Sequence, residues 1–195
     1  MSAAISLLTH FGAIALLTPF ALVIALWLWH AVGRAAALWW CLCVAGVGLT
    51  VALAKVYLAA CAPAWIALRS PSGHAAFATI AYGGYTVIAL AGRRSARAWT
   101  FRAAIAAWVL LIGVSRVVVH AHTPGEVVAG LIAGALGLAV FAWRYQGRRR
   151  PPYRWAAALL LLVGVVALAT PTPHFTIEPW LRLAAGWLQP LLCRP

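Results

Sequence analysis

Six apolar stretches, each close to the length that carries a helix through a bilayer, constrain this chain more than any other feature. They run over residues 12–32, 36–60, 74–92, 103–119, 124–143 and 153–170, where a spanning helix needs about 20 residues. Apolar runs of this kind cross hydrocarbon as helices because a helix satisfies its own backbone groups. The composition closes the alternatives: 65% of the 195 residues are hydrophobic and 9% are charged, against about 25% charged in a soluble domain. Water-soluble enzymes and disordered tails are excluded. The expected fold is all-α, a polytopic membrane protein formed as a single six-helix transmembrane bundle over residues 1–195. Residues 171–195 are too interrupted by proline to span and are expected to lie at the membrane surface, with a short helix over 177–189 in which Glu178 and Arg182 stand one turn apart. The first ten residues hold no Lys or Arg, so the start does not read as a cleavable signal peptide.

The few charges are lopsided. Fifteen cations face two carboxylates, Glu126 and Glu178, for a net charge of +13. The arginines stand in short clusters between apolar runs, which suits anionic lipid headgroups better than nucleic acid. Arg34, Arg93, Arg94, Arg97, Arg102, Arg144, Arg148, Arg149, Arg150 and Arg154 fall in the first, third and fifth connections. The positive-inside rule makes those connections cytoplasmic and puts both termini, with the second and fourth connections, outside. Trp27, Trp29, Trp39, Trp40, Trp99, Trp143 and Trp155 fit an aromatic belt at the inner boundary; Trp65, Trp180 and Trp187 would mark the outer one. Cys41 and Cys43 sit inside an apolar run, and Cys61 and Cys193 are too far apart in sequence to suggest a pair, so no disulfide framework is expected. Gly130 and Gly134 have the spacing of a close helix contact.

Near the second and fourth connections the chain places polar groups that a purely structural bundle does not need. They are Lys55, Arg69, Ser70, Ser72, His74, Arg116, His120, His122 and Glu126. Ionisable groups at such depths are expensive to desolvate and mark functional sites by default. Ser70-Pro71 reads as an N-cap with proline at the first helical position. The amides of Ser72, Gly73 and His74 would then face outward toward an anion, or the segment is an ordinary cap with a surface histidine. Thr123, Pro124 and Glu126 fit a capping box. Glu126 also stands four residues beyond His122, where a carboxylate would fix the imidazole tautomer and sharpen the opposite nitrogen as a nucleophile or base. Arg116 suits two phosphate oxygens at once. Lys55, the chain's one lysine, is either a snorkelling helix-end residue or a site cation. His120 reads as a boundary histidine.

These residues resemble the type 2 phosphatidic acid phosphatase superfamily of membrane lipid phosphatases. The second family motif is intact as Pro71-Ser72-Gly73-His74, and the third stands as Ser115-Arg116, five residues, His122, three residues, Glu126. The first is partial: Lys55 is followed at the right distance by Ala62-Pro63, with alanine in place of arginine. Glu126 replaces the family's aspartate. The resemblance implies that His122 attacks phosphorus and forms a phosphohistidine, that Glu126 orients it, and that His74 protonates the leaving lipid hydroxyl and then activates water. It implies that Lys55, Arg116 and the amides of Ser72 and Gly73 hold the phosphoryl oxygens, and Arg69 or His120 is a candidate for the space left by Ala62. No metal and no cofactor is required by that chemistry. The expected function is hydrolysis of a phosphomonoester or diphosphate on a polyprenyl (undecaprenyl), glycerolipid or lipid A type lipid, at the periplasmic face of a bacterial inner membrane. Transfer of the phosphoryl group to another lipid, and lipid-phosphate binding or transport without chemistry, are the alternatives. The expected partners are the phosphorylated lipid and the bilayer.

Overall fold

The computed structural model describes residues 3–62, 68–145, 158, 165 and 178–193. Among them are seven helices and no strand: α1 (Ala3–His10), α2 (Ile14–Ala31), α3 (Arg34–Cys61), α4 (Gly73–Ala89), α5 (Ala96–Val118), α6 (Pro124–Tyr145) and α7 (Glu178–Leu192). Four of these, α2, α3, α5 and α6, are long and apolar enough to cross a membrane. The expected spans at 12–32, 36–60, 74–92, 103–119 and 124–143 correspond to α2 through α6. The sixth, 153–170, lies outside the described residues apart from two isolated positions, as do Trp65, Trp155, Arg148, Arg149, Arg150 and Arg154.

The chain is apolar on its outside as well as its inside. On α3, Trp40, Val47, Val51 and Lys55 are buried, while Leu38, Leu42, Leu49 and Leu53 are exposed. A soluble helix would place charge on that second face; here it is apolar, as a helix face against lipid would be. α4 is the central helix and packs against α2, α3, α5 and α6. Ala75, Ala76, Ala78, Ile80 and Ile88 on it are fully enclosed.

α4 and α6 pack backbone against backbone, and Gly130 and Gly134 permit it. A Cβ at Gly130 would collide with the carbonyl oxygen of Ser72, and one at Gly134 would lie 2.5 Å from that of Ala76. The small residues let the backbones touch, as expected from their spacing. Backbone cannot rotate away as a side chain can, so Gly130→Ala should destabilise the protein by about 1–3 kcal/mol. Gly125→Ala is the control, because a Cβ there meets nothing within 4 Å. Thermal unfolding in detergent should separate the two, and equal stability would show that the helices slide apart at little cost.

Arginine and tryptophan gather at the end formed by the α2–α3 turn, the α4–α5 connection and the end of α6. Arg34 stacks on Trp29 at 5.2 Å, Arg102 on Trp99 at 4.8 Å, and Arg144 on Trp39 at 4.3 Å and Trp143 at 4.8 Å. These pairings fit an interfacial belt. Trp40 corrects one expectation: it is 1% exposed, donates to the Ala21 carbonyl oxygen at 2.8 Å and packs edge-on against Phe141. It is a core residue.

Two further corrections concern the chain's ends. Residues 3–10, expected only to flank the first span, form α1 against α5, with Thr9 Oγ1 donating to Ser115 Oγ at 2.9 Å and Phe11 edge-on to Trp108. Cys61 and Cys193 form a disulfide with Cα atoms 5.5 Å apart. It fixes α7 to the end of α3, and Glu178 pairs with Lys55.

Candidate functional site

At the end of the bundle away from the arginine belt, the ends of α3 and α5 meet the starts of α4 and α6. α5 stops by a defined device. The amide of Ala121 donates to the Arg116 carbonyl at 3.0 Å and that of His120 to Val117 at 2.9 Å, while His120 has φ 55°. This is the Schellman pattern, in which the residue after the cap turns left-handed. His120 is therefore the residue that reverses the chain, and its ring is not needed for that. A left-handed conformation costs a side-chain-bearing residue roughly 1–2 kcal/mol relative to glycine. His120→Gly should accordingly raise unfolding stability by about 1 kcal/mol and leave function intact; lost function would return the imidazole to the site. The His122 amide also donates to the Arg116 carbonyl, at 3.2 Å, so the turn holds these two residues together.

α6 then starts with the expected capping box. Glu126 N donates to Thr123 Oγ1 at 3.3 Å, and Thr123 N donates to Glu126 Oε2 at 3.0 Å. The same Oε2 lies 3.1 Å from His122 Nδ1. Its other oxygen, Oε1, accepts from Arg69 N at 2.9 Å and Ser70 N at 2.8 Å. Glu126 is 5% exposed and its carboxylate takes four donors. With Nδ1 engaged as a donor, Nε2 is the nitrogen that carries a lone pair. Burial holds His122 below the usual imidazole range, partly offset by the Glu126 hydrogen bond.

The start of α4 differs from expectation by two residues. Its N-cap is Ser72, whose hydroxyl accepts from Ala75 N at 3.4 Å. Ser70 Oγ accepts instead from Lys55 Nζ at 2.8 Å. The Ser72 amide, expected to face phosphate, donates to the Glu126 carbonyl at 2.9 Å, and the residue is fully buried. Gly73 and His74 occupy the first helical positions, whose amides the helix itself does not use. The Arg69 amide serves Glu126, while its residue is exposed. Ala62 is the C-cap of α3.

Lys55 lies on the buried face of α3 and is 7% exposed. Its ammonium donates to Ser70 Oγ and, at 2.7 Å, to Glu178 Oε2. Arg116 has its Nε buried without a hydrogen-bond partner among the described residues. Lys55, Arg116 and His122 are all close enough to act electrostatically on His74. The structure thus brings five candidates together, His74, His122, Glu126, Lys55 and Arg116. Ser115, in the same motif as Arg116, is buried and anchors α1 through Thr9. Among the described residues no three His, Cys, Asp or Glu side chains are placed to hold a metal ion. A cavity of about 1060 Å³ between α4, α5 and α6 opens toward Arg93, Arg94 and Arg102 and shares none of these site residues.

Glu178 is the site neighbour that local sequence reasoning missed, since only a long-range contact joins it to Lys55. The one signal was compositional: it is one of two carboxylates in the chain.

No curated protein and no solved structure matches this chain. Residues 59–151 match the family model described as the PAP2 superfamily. The matched stretch includes His74, Arg116, His122 and Glu126 and begins after Lys55.

Proposed function

Because this chain belongs to the PAP2 superfamily, the type 2 phosphatidic acid phosphatases, we propose that it hydrolyses a phosphomonoester or diphosphate of a membrane lipid through a phosphohistidine at His122. Family membership carries phosphatase activity on phosphorylated substrates in general. The observation that carries the finer reading is the His122–Glu126 pair, which leaves Nε2 as the lone-pair nitrogen in a site with two cations.

In the first half-reaction Nε2 forms a bond to phosphorus as the bond from phosphorus to the lipid oxygen breaks. His74, protonated, gives its proton to that oxygen, so the lipid leaves as an alcohol. Glu126 stabilises the positive charge left on the phosphorylated imidazole. In the second half His74 takes a proton from water, whose oxygen attacks phosphorus. Inorganic phosphate departs and neutral His122 returns. A phosphate dianion entering among Lys55, Arg116 and the histidines supplies the negative partner that a protonated His74 needs. Lys55, the Arg116 guanidinium and the amides of Gly73 and His74 would hold the phosphoryl oxygens as their charge redistributes. The buried Arg116 Nε, without a hydrogen-bond partner among the described residues, supports that role.

A lipid substrate is supported by the apolar exterior directly below the site. We further propose a bacterial inner membrane with the site facing the periplasm. Arg34, Arg93, Arg94 and Arg144 stand at the opposite end, as the positive-inside rule asks of a cytoplasmic face. The Cys61–Cys193 disulfide at the site's own end of α3 supports an oxidising compartment there. Detergent-solubilised protein should release phosphate from polyprenyl or glycerolipid phosphates much faster than from a soluble phosphomonoester. Equal rates on the two would overturn the lipid reading.

A further inference from the structure

At its arginine-bearing end the bundle is open. α5 and α6 both pack on α4, and they touch each other near the site end, where a Cβ at Gly113 would lie 2.9 Å from Val127 Cγ1. From there toward the other end they flank the cavity of about 1060 Å³. Gly83 and Val87 of α4 form its floor, and Ala106 of α5 and Ala135 of α6 stand on its walls. Both alanines are exposed, so the space is a groove and not a sealed void. Thr79 and Thr86 in its lining make no demand for water: their hydroxyls donate to the carbonyls of Ala75 at 2.7 Å and Tyr82 at 2.8 Å, within α4 itself.

Depth and charge together say what fills it. Along α4 the lining runs from Thr79 to Leu90, about 16 Å at 1.5 Å per residue. Half of a hydrocarbon core of about 30 Å is about 15 Å, so the groove is as deep as one leaflet. In a bilayer an apolar groove of that depth takes up acyl chain, because an empty one forfeits the packing contacts of its walls. The mouth is lined by Arg93, Arg94 and Arg102. Arg102 Nη2 donates to the carbonyls of Arg93 at 3.0 Å and Leu90 at 3.4 Å, which holds that guanidinium at the rim. The chain's acidic side chains, Glu126 and Glu178, are engaged at the opposite end with His122 and Lys55. An anion that balances the mouth therefore comes from outside the protein, and at that depth the membrane supplies it as a phospholipid headgroup.

We propose that the groove between α5 and α6 is a binding site for an anionic phospholipid of the leaflet at the arginine-bearing end, with its chain along α4 and its phosphate on Arg94 and Arg102. The site is separate from the phosphate seat around His122 and does not depend on the phosphatase reading. A lipid seated there touches α4, α5 and α6 at once, and the opposite ends of these helices carry His74, Arg116 and Glu126. It therefore braces the helices that position the candidate site.

The test reads lipid binding to the full chain by native mass spectrometry in a neutral detergent. Phosphatidylglycerol should bind at least about fivefold tighter than phosphatidylcholine with the same chains, the contribution of one arginine near an anionic headgroup. Arg94→Gln should weaken phosphatidylglycerol by about fivefold and leave phosphatidylcholine unchanged, which also shows that the variant is folded. Ala135→Phe and, independently, Ala106→Phe place an apolar ring in the groove and should weaken both lipids. Glycerol phosphate, which has the charge and no chains, should displace neither. All three substitutions lie away from Lys55 and Arg116, so their effects do not report lipid held at the phosphate seat. Equal affinity for the two lipids in wild type, unchanged phosphatidylglycerol binding in Arg94→Gln, or full binding in both phenylalanine variants overturns the proposal. Displacement by glycerol phosphate overturns it as well, because the site would then serve a free phosphate.

Discussion

Replacing His122 by alanine should abolish phosphate release, by about 10⁴-fold or more, while the protein stays folded. The magnitude follows from the role: a nucleophile that forms a covalent intermediate has no substitute, and what remains is binding and charge stabilisation by the rest of the site. The fold should survive because His122 contributes one of four donors to Glu126; Arg69, Ser70 and Thr123 continue to hold that carboxylate. Substrate affinity should change far less than turnover, since Lys55 and Arg116 remain. Turnover within tenfold of wild type would remove His122 from the chemistry.

Glu126→Gln should have the second largest effect, on both rate and stability. The carboxylate accepts Arg69 N and Ser70 N on one oxygen and Thr123 N and His122 Nδ1 on the other. A glutamine has only one acceptor oxygen. Whichever way it turns, its NH2 faces two donors, at a cost of about 2–4 kcal/mol in unfolding stability. If the NH2 faces His122, the imidazole is driven into the wrong tautomer and the rate falls by about 10²–10⁴-fold. The pH profile adds a sign. In the proposed mechanism neutral His122 is the reactive form, so activity should fall as pH drops through its folded-state pKa, which burial holds below the usual value. Glu126 works against that lowering, by hydrogen bond and by charge, whereas Lys55 and Arg116 add to it. Removing the carboxylate must therefore move the acid limb of kcat/KM to lower pH. Glu126→Asp keeps the charge and should lose less rate. An acid limb that moves upward in Glu126→Gln would contradict the assignment of Glu126 as the partner of His122.

The site was largely legible in sequence because its parts obey local rules. The capping box of Thr123 and Glu126, the four-residue reach from Glu126 to His122, and the glycine pair of α6 all depend on helical spacing, which sequence states directly. Five of the six expected apolar stretches coincide with helices for the same reason, and four of those helices are long and apolar enough to cross a membrane. Local rules failed where a distant contact decided. Ser70-Pro71 has the pattern of a helix start, but Lys55 takes the Ser70 hydroxyl and the Glu126 carbonyl takes the Ser72 amide, so the cap moves to Ser72. α1 has eight residues, too few to be stable as an isolated helix, and it forms against α5. Trp40 carries the same residue type as the interfacial tryptophans, yet a carbonyl on α2 lies within its reach. Glu178 and Cys193 are 123 and 132 residues from their partners, and no periodicity spans that distance.

The central claim is that a phosphoryl group passes through His122. Wild-type protein in detergent, mixed with a lipid carrying labelled phosphate, stopped within one turnover by strong base and mapped by peptide, reads this directly, since phosphohistidine survives base. Label should appear on the peptide containing His122, as a burst of no more than one phosphate per chain, and be absent from His122→Ala. Full turnover with no label at His122, or with label at His74 instead, would contradict the account.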